Sequence, residues 1–209
     1  MTVEQEGNVE KPIEVLMGEH RLIEQALGSL ETYADEVRAG MPPACEAVRD
    51  YATFFRDFAD TCHHGKEEDI LFQRMIERGF SREAGPIGVM YAEHELGRSH
   101  VREMLALASG AGELSPGHAG SLLRNVAGYL PLLRLHILKE DQILYPLALR
   151  VLSGPELDAM AAEFESFERR FRADGSLDRL RRLADRLSGR FPPDATRMAE
   201  ASRLTACGR

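Results

Sequence analysis

His63-x-x-x-Glu67-Glu68-Asp69-Ile70-Leu71-Phe72 returns 73 residues later as His136-x-x-x-Glu140-Asp141-Gln142-Ile143-Leu144-Tyr145. A second pair, Glu19-His20 and Glu93-His94, repeats at a separation of 74. Each copy of the long motif is preceded by one copy of the short one, so the chain reads as two helical hairpins of similar design joined in tandem. Packed about a pseudo-twofold axis, two such hairpins make an all-α, up-down-up-down four-helix bundle in which each hairpin offers the same polar set.

The apolar residues around these motifs recur at helical spacing. Ile13, Leu16, Met17, His20, Ile23, Leu27 and Leu30 follow Pro12, which a first helical turn tolerates, and predict a first helix ending near Gly40. Val48, Tyr51, Phe54, Phe55, Phe58, Cys62, Ile70, Leu71 and Met75 predict a second, stopping at Gly79. Gly65 inside it costs about 1 kcal/mol relative to Ala, which suggests a close neighbour there. Ser81 or Gly85-Pro86 opens the third helix, with Ile87, Met90, His94, Gly97, Val101 and Leu105 inward. The fourth starts at the Ser115-Pro116 cap and runs to about Leu152, with a kink expected at Pro131. Ser153-Gly154-Pro155-Glu156 has the form of a capping box and opens a short helix bearing Leu157, Met160, Phe164 and Phe167. The polar, arginine-rich remainder from Arg169, interrupted at Phe191-Pro192-Pro193, completes a helical appendage with a frayed end. The expected division is a bundle over residues 10–152 and a helical, arginine-rich C-terminal appendage over 153–209.

Composition narrows the function classes. With 209 residues and 44% hydrophobic content the chain supports one core of ordinary size. No stretch approaches the roughly 18 to 20 uninterrupted apolar residues of a membrane span, and Met1 to Glu10 carry three glutamates and no apolar leader core, so a soluble, unexported protein with no membrane partner is expected. Cys45, Cys62 and Cys207 are far apart, form no C-x-x-C pair, and suggest neither disulfides nor a zinc-thiolate site; a cytoplasmic location fits. Residues 169–209 hold 11 Arg against 5 acids, but without interleaved aromatics or a recognition motif nucleic acid is not the expected partner.

The motif spacing carries the chemistry. Residues i and i+4 lie one turn apart on one helix face, so His63 with Glu67, and His136 with Glu140, converge on a small volume. Adding His20 and His94 gives four imidazoles and two carboxylates, a set that suits first-row metals of intermediate hardness such as iron or manganese, with zinc also possible. With both glutamates bridging, these six residues supply about eight bonds where two six-coordinate metals want about 12; a shared oxo or hydroxo group leaves about two positions open. Neither H-E-x-x-H nor the Glu-x-x-His pair of ferritin-like bundles occurs.

His20, His63-x-x-x-Glu67, His94 and His136-x-x-x-Glu140 on four successive helices resemble the hemerythrin-like, or HHE cation-binding, domain over roughly residues 10 to 150. The resemblance implies two iron ions, oxo- or hydroxo-bridged, and a family range of oxygen binding, oxygen or redox sensing, iron handling, peroxide or nitric oxide chemistry and repair of damaged iron centres. Arg98 stands where oxygen-carrying members place a fifth histidine, one turn after the third-helix histidine, and Glu140 follows His136 by four residues rather than the carriers' five. Both departures argue against reversible oxygen carriage.

Other residues divide between roles. His64 and Glu68 offer a competing register, also spaced by four; the repeat favours His63 and Glu67, and leaves His64 as a supporting residue or an extra ligand if the helix winds differently near Gly65. His100 and His118 read as surface residues, Cys62 as a small apolar filler ahead of a redox-active thiol, and Tyr91, Tyr129 and Tyr145 as core ahead of pocket-lining donors. Glu19, Glu93 and Arg98 either orient ligands or form surface ion pairs. The functional expectation is a di-iron protein binding a diatomic ligand or peroxide in sensing, iron handling or stress response. The alternatives are a di-iron oxidoreductase consuming peroxide or nitric oxide, and a metal-free helical interaction module.

Overall fold

The computed structural model describes residues 11–199. Helix α1 (Lys11–Arg38) ends at Gly40, whose φ of 107° turns the chain. The second rod begins as α2 (Cys45–Phe54), winds as π-helix over Phe55–His64 and again over Glu67–Leu71, and closes as α3 (Phe72–Glu77). Helix α4 (Gly85–Leu107) starts with Pro86 in its first turn. Helix α5 (Pro116–Lys139) passes into a π-helical segment, Glu140–Leu144, and then α6 (Tyr145–Val151). Pro131 sits inside α5, which is continuous across it.

These four rods pack around a ring, α1 against α5, α5 against α4, α4 against the second rod, and the second rod against α1. The result is the all-α four-helix bundle that the tandem repeat predicts. The caps expected from sequence form: Ser115 accepts from the His118 amide, and Ser153 and Glu156 close a capping box at the start of α7 (Gly154–Ala173).

The C-terminal segment is helical, and its helices are longer and more deeply buried than the short apolar run from Leu157 to Phe167 suggests. Helix α7 spans 20 residues and α8 (Ser176–Arg190) another 15, the latter burying Leu177, Leu180, Leu183, Ala184 and Leu187 against α1 and α2. Arginines fill its outward face, and that excess of charge hides a three- and four-residue leucine spacing from a reading by composition. Phe191 is buried as well, edge-on to Tyr33. Residues 200–209, including Cys207, lie outside the described residues.

Two apolar clusters fill the interior. One holds Ile23, Leu27, Tyr51, Phe55, Phe58 and Leu133 together with the α8 leucines. The other holds Leu16, Leu71, Phe72, Met90, Leu144 and Tyr145 with Met160 and Phe164 of α7. On all four rods the chain crosses from one cluster to the other at the level of His20, His63 to Glu67, His94 and His136 to Glu140. A buried polar layer therefore separates two greasy ones. Among the described residues no helix is long and apolar enough to cross a membrane.

Candidate metal centre

The structure brings all six sequence-selected residues together and adds one. His20, His63, Glu67 and Glu140 present ligand atoms within 4.8 Å of one another, and so do His64, Glu67, His94 and His136. Glu67 belongs to both quartets, and all seven residues are buried. Glu140 also reaches the second quartet, with Oε2 3.2 Å from His136 Nε2 and Oε1 3.9 Å from His94 Nε2.

His64 enters because of the backbone. A π-helix closes i→i+5 hydrogen bonds and so places an extra residue in each turn, a winding common at functional sites. Over Phe55–His64 this brings two consecutive histidines to the interior, where a regular α-helix would turn one of them away. His64 stacks on His94 with ring centroids 3.7 Å apart and planes 8° from parallel. The His63/Glu67 and His64/Glu68 alternatives are thus not exclusive: Glu68 turns outward to serve His94, while both histidines face in. The neighbour inferred at Gly65 is Phe167 of α7, whose Cζ would lie 2.7 Å from an added Cβ.

Each imidazole is held by a carboxylate on its outer nitrogen. Nδ1 of His20 meets Asp141 at 2.7 Å, that of His63 meets Glu19 at 2.9 Å, and that of His64 meets Asp60 at 3.3 Å. His94 Nδ1 meets Glu68 at 2.6 Å and His136 Nδ1 meets Glu93 at 3.0 Å. Such partners fix the ring orientation and direct the Nε2 lone pair inward, as second-layer carboxylates do for metal-binding histidines. The pairs obey the internal repeat. Glu19 serves His63 as Glu93 serves His136, and Glu68 serves His94 as Asp141 serves His20. Lys66 clamps Glu19 and Lys139 clamps Glu93 in the same way. Arg98 bonds Asp60 at 2.9 Å and Glu68 at 2.7 Å, so it tightens the carboxylates behind His64 and His94.

The centre's polar atoms are poorly satisfied by protein alone. His63 Nε2, Glu67 Oε2 and both carboxylate oxygens of Glu140 are buried without a hydrogen-bond partner. His94 Nε2 and His136 Nε2 point at each other from 3.1 Å. An unmet buried polar group costs about 1–3 kcal/mol, and a charged one more. A donor set of inward imidazole lone pairs and carboxylate oxygens fits cations of intermediate hardness.

Electrostatics agree with that reading. Burial and the adjacent Glu140 charge push the Glu67 carboxyl well above its ordinary value. Burial opposes ionisation of Glu140, but the His136 charge, with the His20 and His94 imidazoles close by, holds it well below the usual range. Burial likewise opposes the His136 charge, and Glu140 and Glu93 overcome it, lifting the imidazole to about 9. Burial and the neighbouring His94 push His64 down to about 3. Both the Glu67 and His136 shifts favour the protonated form, which supplies positive charge where a cation would otherwise sit.

Sequence reasoning undervalued some residues. Tyr145 is buried and donates to Glu67 Oε1 at 2.7 Å, with its oxygen 3.3 Å from His20 Nε2, so of its two expected roles it takes the less favoured one and borders the centre. Lys66, fully buried, bonds Glu19 and Glu168 and so ties α7 to the partner of His63. The matching Lys139 was the available signal for it. Cys62 is buried with its thiol pushed up to about 12 by burial, which suits a filler. His118 is exposed as expected, and His100 is half-buried beside Tyr129.

Fold and site together define a helical bundle with a buried histidine-carboxylate centre suited to cations. The match to known families is in accord: residues 11–148 match the hemerythrin HHE cation-binding domain, and the chain belongs to that family. It is also 27% identical, over 185 residues, to uncharacterized proteins of Mycobacterium tuberculosis and Mycobacterium bovis, an alignment covering 88% of this chain and 71% of each relative. No solved structure matches it.

Proposed function

We propose that this is a non-haem di-iron protein in which His20, His63, Glu67 and Glu140 hold one iron and His64, His94 and His136 hold the other, with Glu67 and Glu140 shared. It binds dioxygen, nitric oxide or peroxide in sensing, iron handling or the response to oxidative stress. The observation that carries this reading is the group of unpartnered buried atoms, His63 Nε2, Glu67 Oε2 and both oxygens of Glu140, lying among imidazoles whose outer nitrogens are all bonded to carboxylates. A metal-free interaction module would keep these groups buried at a cost with nothing in return.

A bound iron pair supplies open coordination positions and electrons for a small oxygen or nitrogen ligand. The chain's own residues do the rest. The five carboxylates behind the histidines fix the rings, the apolar clusters on either side exclude water, and Tyr145 holds a proton at Oη against Glu67. That buried phenol favours a second reading, an oxidoreductase that consumes peroxide or nitric oxide, since a proton donor beside the centre is of use in reduction.

Elemental analysis of the purified chain, followed by anaerobic iron loading, tests the first claim, with about two irons per chain expected. Visible spectra of the loaded protein should then change on reduction and on addition of azide or nitric oxide. Under ~0.2 metal per chain after loading would refute the di-iron reading, because a site of this affinity class fills under those conditions. Oxygen evolution from peroxide, compared between the natural chain and a His63→Ala, Glu67→Ala variant, separates enzyme from binder; equal rates remove the enzyme.

A further inference from the structure

The two halves of the centre have different surroundings. The His20/His63 side is closed by Tyr145, which stacks on His20 with centroids 5.5 Å apart. The other side opens on a cavity of about 200 Å³ that is lined by His64, His94 and His136. That is far more than a diatomic molecule or peroxide needs, since an apolar cavity of roughly 150 Å³ already holds benzene.

The remaining walls say what would fill the space. Phe55, Val101, Leu105, Leu132 and Leu133 are apolar, and Gly97 leaves room: a Cβ added there would meet only Tyr129, at 3.8 Å. Every charged wall residue is already engaged. Arg56 bonds Asp57, Asp60 bonds Arg98, Glu93 bonds His136 and Lys139, and Arg102 bonds Glu95. A charged guest would have to displace one of these partners and shed its water, which is costly. One polar group is unspoken for. Tyr129 lines the cavity, is 3% exposed, and its hydroxyl has no hydrogen-bond partner among the described residues. Its ring stands edge-on to Phe55, with centroids 5.1 Å apart, which gives the cavity an aromatic wall.

We propose that this cavity is a binding site for a neutral, phenol-sized aromatic compound with a single hydroxyl group, its ring among Phe55, Val101 and Leu133 and its oxygen paired with Tyr129. The site exists in the folded chain whether or not the iron reading holds, and it places an organic molecule against the imidazoles of His64, His94 and His136. Charge selects against carboxylates, size against large polycyclic rings, and Tyr129 for one hydroxyl.

The test is binding to the full chain, iron-loaded and metal-stripped, by calorimetry and saturation-transfer NMR with phenol, benzene and benzoate. Phenol should bind saturably in both forms, benzene about three- to tenfold more weakly for want of one neutral hydrogen bond, and benzoate not at all. Tyr129→Phe should erase the preference for phenol over benzene, and Gly97→Leu should abolish binding of both by filling the space. Should Gly97→Leu fail to fold, Leu105→Trp fills the cavity from a half-exposed wall and makes the same test. Phenol binding that does not saturate, that survives the filled cavity, or that is matched by benzene or benzoate in the natural chain would overturn the proposal. Metal content is read separately, so loss of iron and loss of phenol binding remain distinct results.

Discussion

The carboxylate of Glu19 lies 2.9 Å from Nδ1 of His63, and the ammonium of the fully buried Lys66 closes on its other oxygen. Glu19 thus does for His63 what Glu93, with Lys139, does for His136. Removing such an orienting partner commonly costs about 10- to 100-fold in metal affinity. Glu19→Ala should therefore weaken iron binding by about that factor in a chelator competition while the helical circular dichroism is kept. Unchanged affinity would show that Glu19 serves packing alone.

His64 separates a ligand from a stacking partner. If it holds metal with His94 and His136, His64→Ala should reduce loading from about two irons to about one per chain, since the His20/His63 quartet stays whole. His64→Phe keeps a ring over His94 but offers no nitrogen, and should lose the same iron. Full loading of the phenylalanine variant would assign His64 to packing against His94.

Lys66 is held between Glu19 and Glu168 with no exposed surface. Breaking a buried pair by removing one partner costs about 3–5 kcal/mol, because the other charge stays buried. Lys66→Met leaves two buried carboxylates facing each other, and chemical denaturation should show a loss of that size. A Lys66→Met, Glu168→Leu double variant should recover part of it.

Gly65 tests the docking of α7. A Cβ there would lie 2.7 Å from Phe167 Cζ, and overpacking of this kind costs about 1–3 kcal/mol. Gly65→Ala should lower stability within that range, and adding Phe167→Leu should restore most of it.

Metal uptake should release protons. Ligation requires neutral imidazoles and ionised carboxylates, yet in the protein alone Glu67 is lifted well above, and His136 to about 9, relative to ordinary values. Calorimetry at pH 7.5 in buffers of different ionisation enthalpy should give apparent heats that scale with the buffer. The sign for stability follows from His136: its raised value stabilises the metal-free fold fully below about 6.5, and that contribution is lost as pH rises through about 9. Thermal melts of metal-stripped protein should fall across that window, and the loaded protein should be less affected.

Much of this was legible before any coordinates. The repeat of His63 to Phe72 as His136 to Tyr145, with Glu19-His20 and Glu93-His94, is a one-dimensional record of a pseudo-twofold bundle, and the caps at Ser115 and Ser153 are local chemistry. What pattern reading lost had identifiable causes. The buried face of helix α8 was not read, because its arginines dominate composition while its leucines keep helical spacing. Lys66 was not singled out, because its burial is set by Glu168 more than 100 residues away.

Residue spacing alone determined the four rods and the six side chains that meet between them, because helical periodicity and the duplicated motif are properties of the chain taken in order. The tertiary structure decided the rest: that π winding before Gly65 turns His64 inward beside His63, that Tyr145 covers one half of the centre, and that a cavity opens on the other. Those outcomes depend on how one helix is wound against its neighbours and on what volume packing leaves unfilled. Neither quantity is carried by the identity of any residue or its nearest neighbours in sequence.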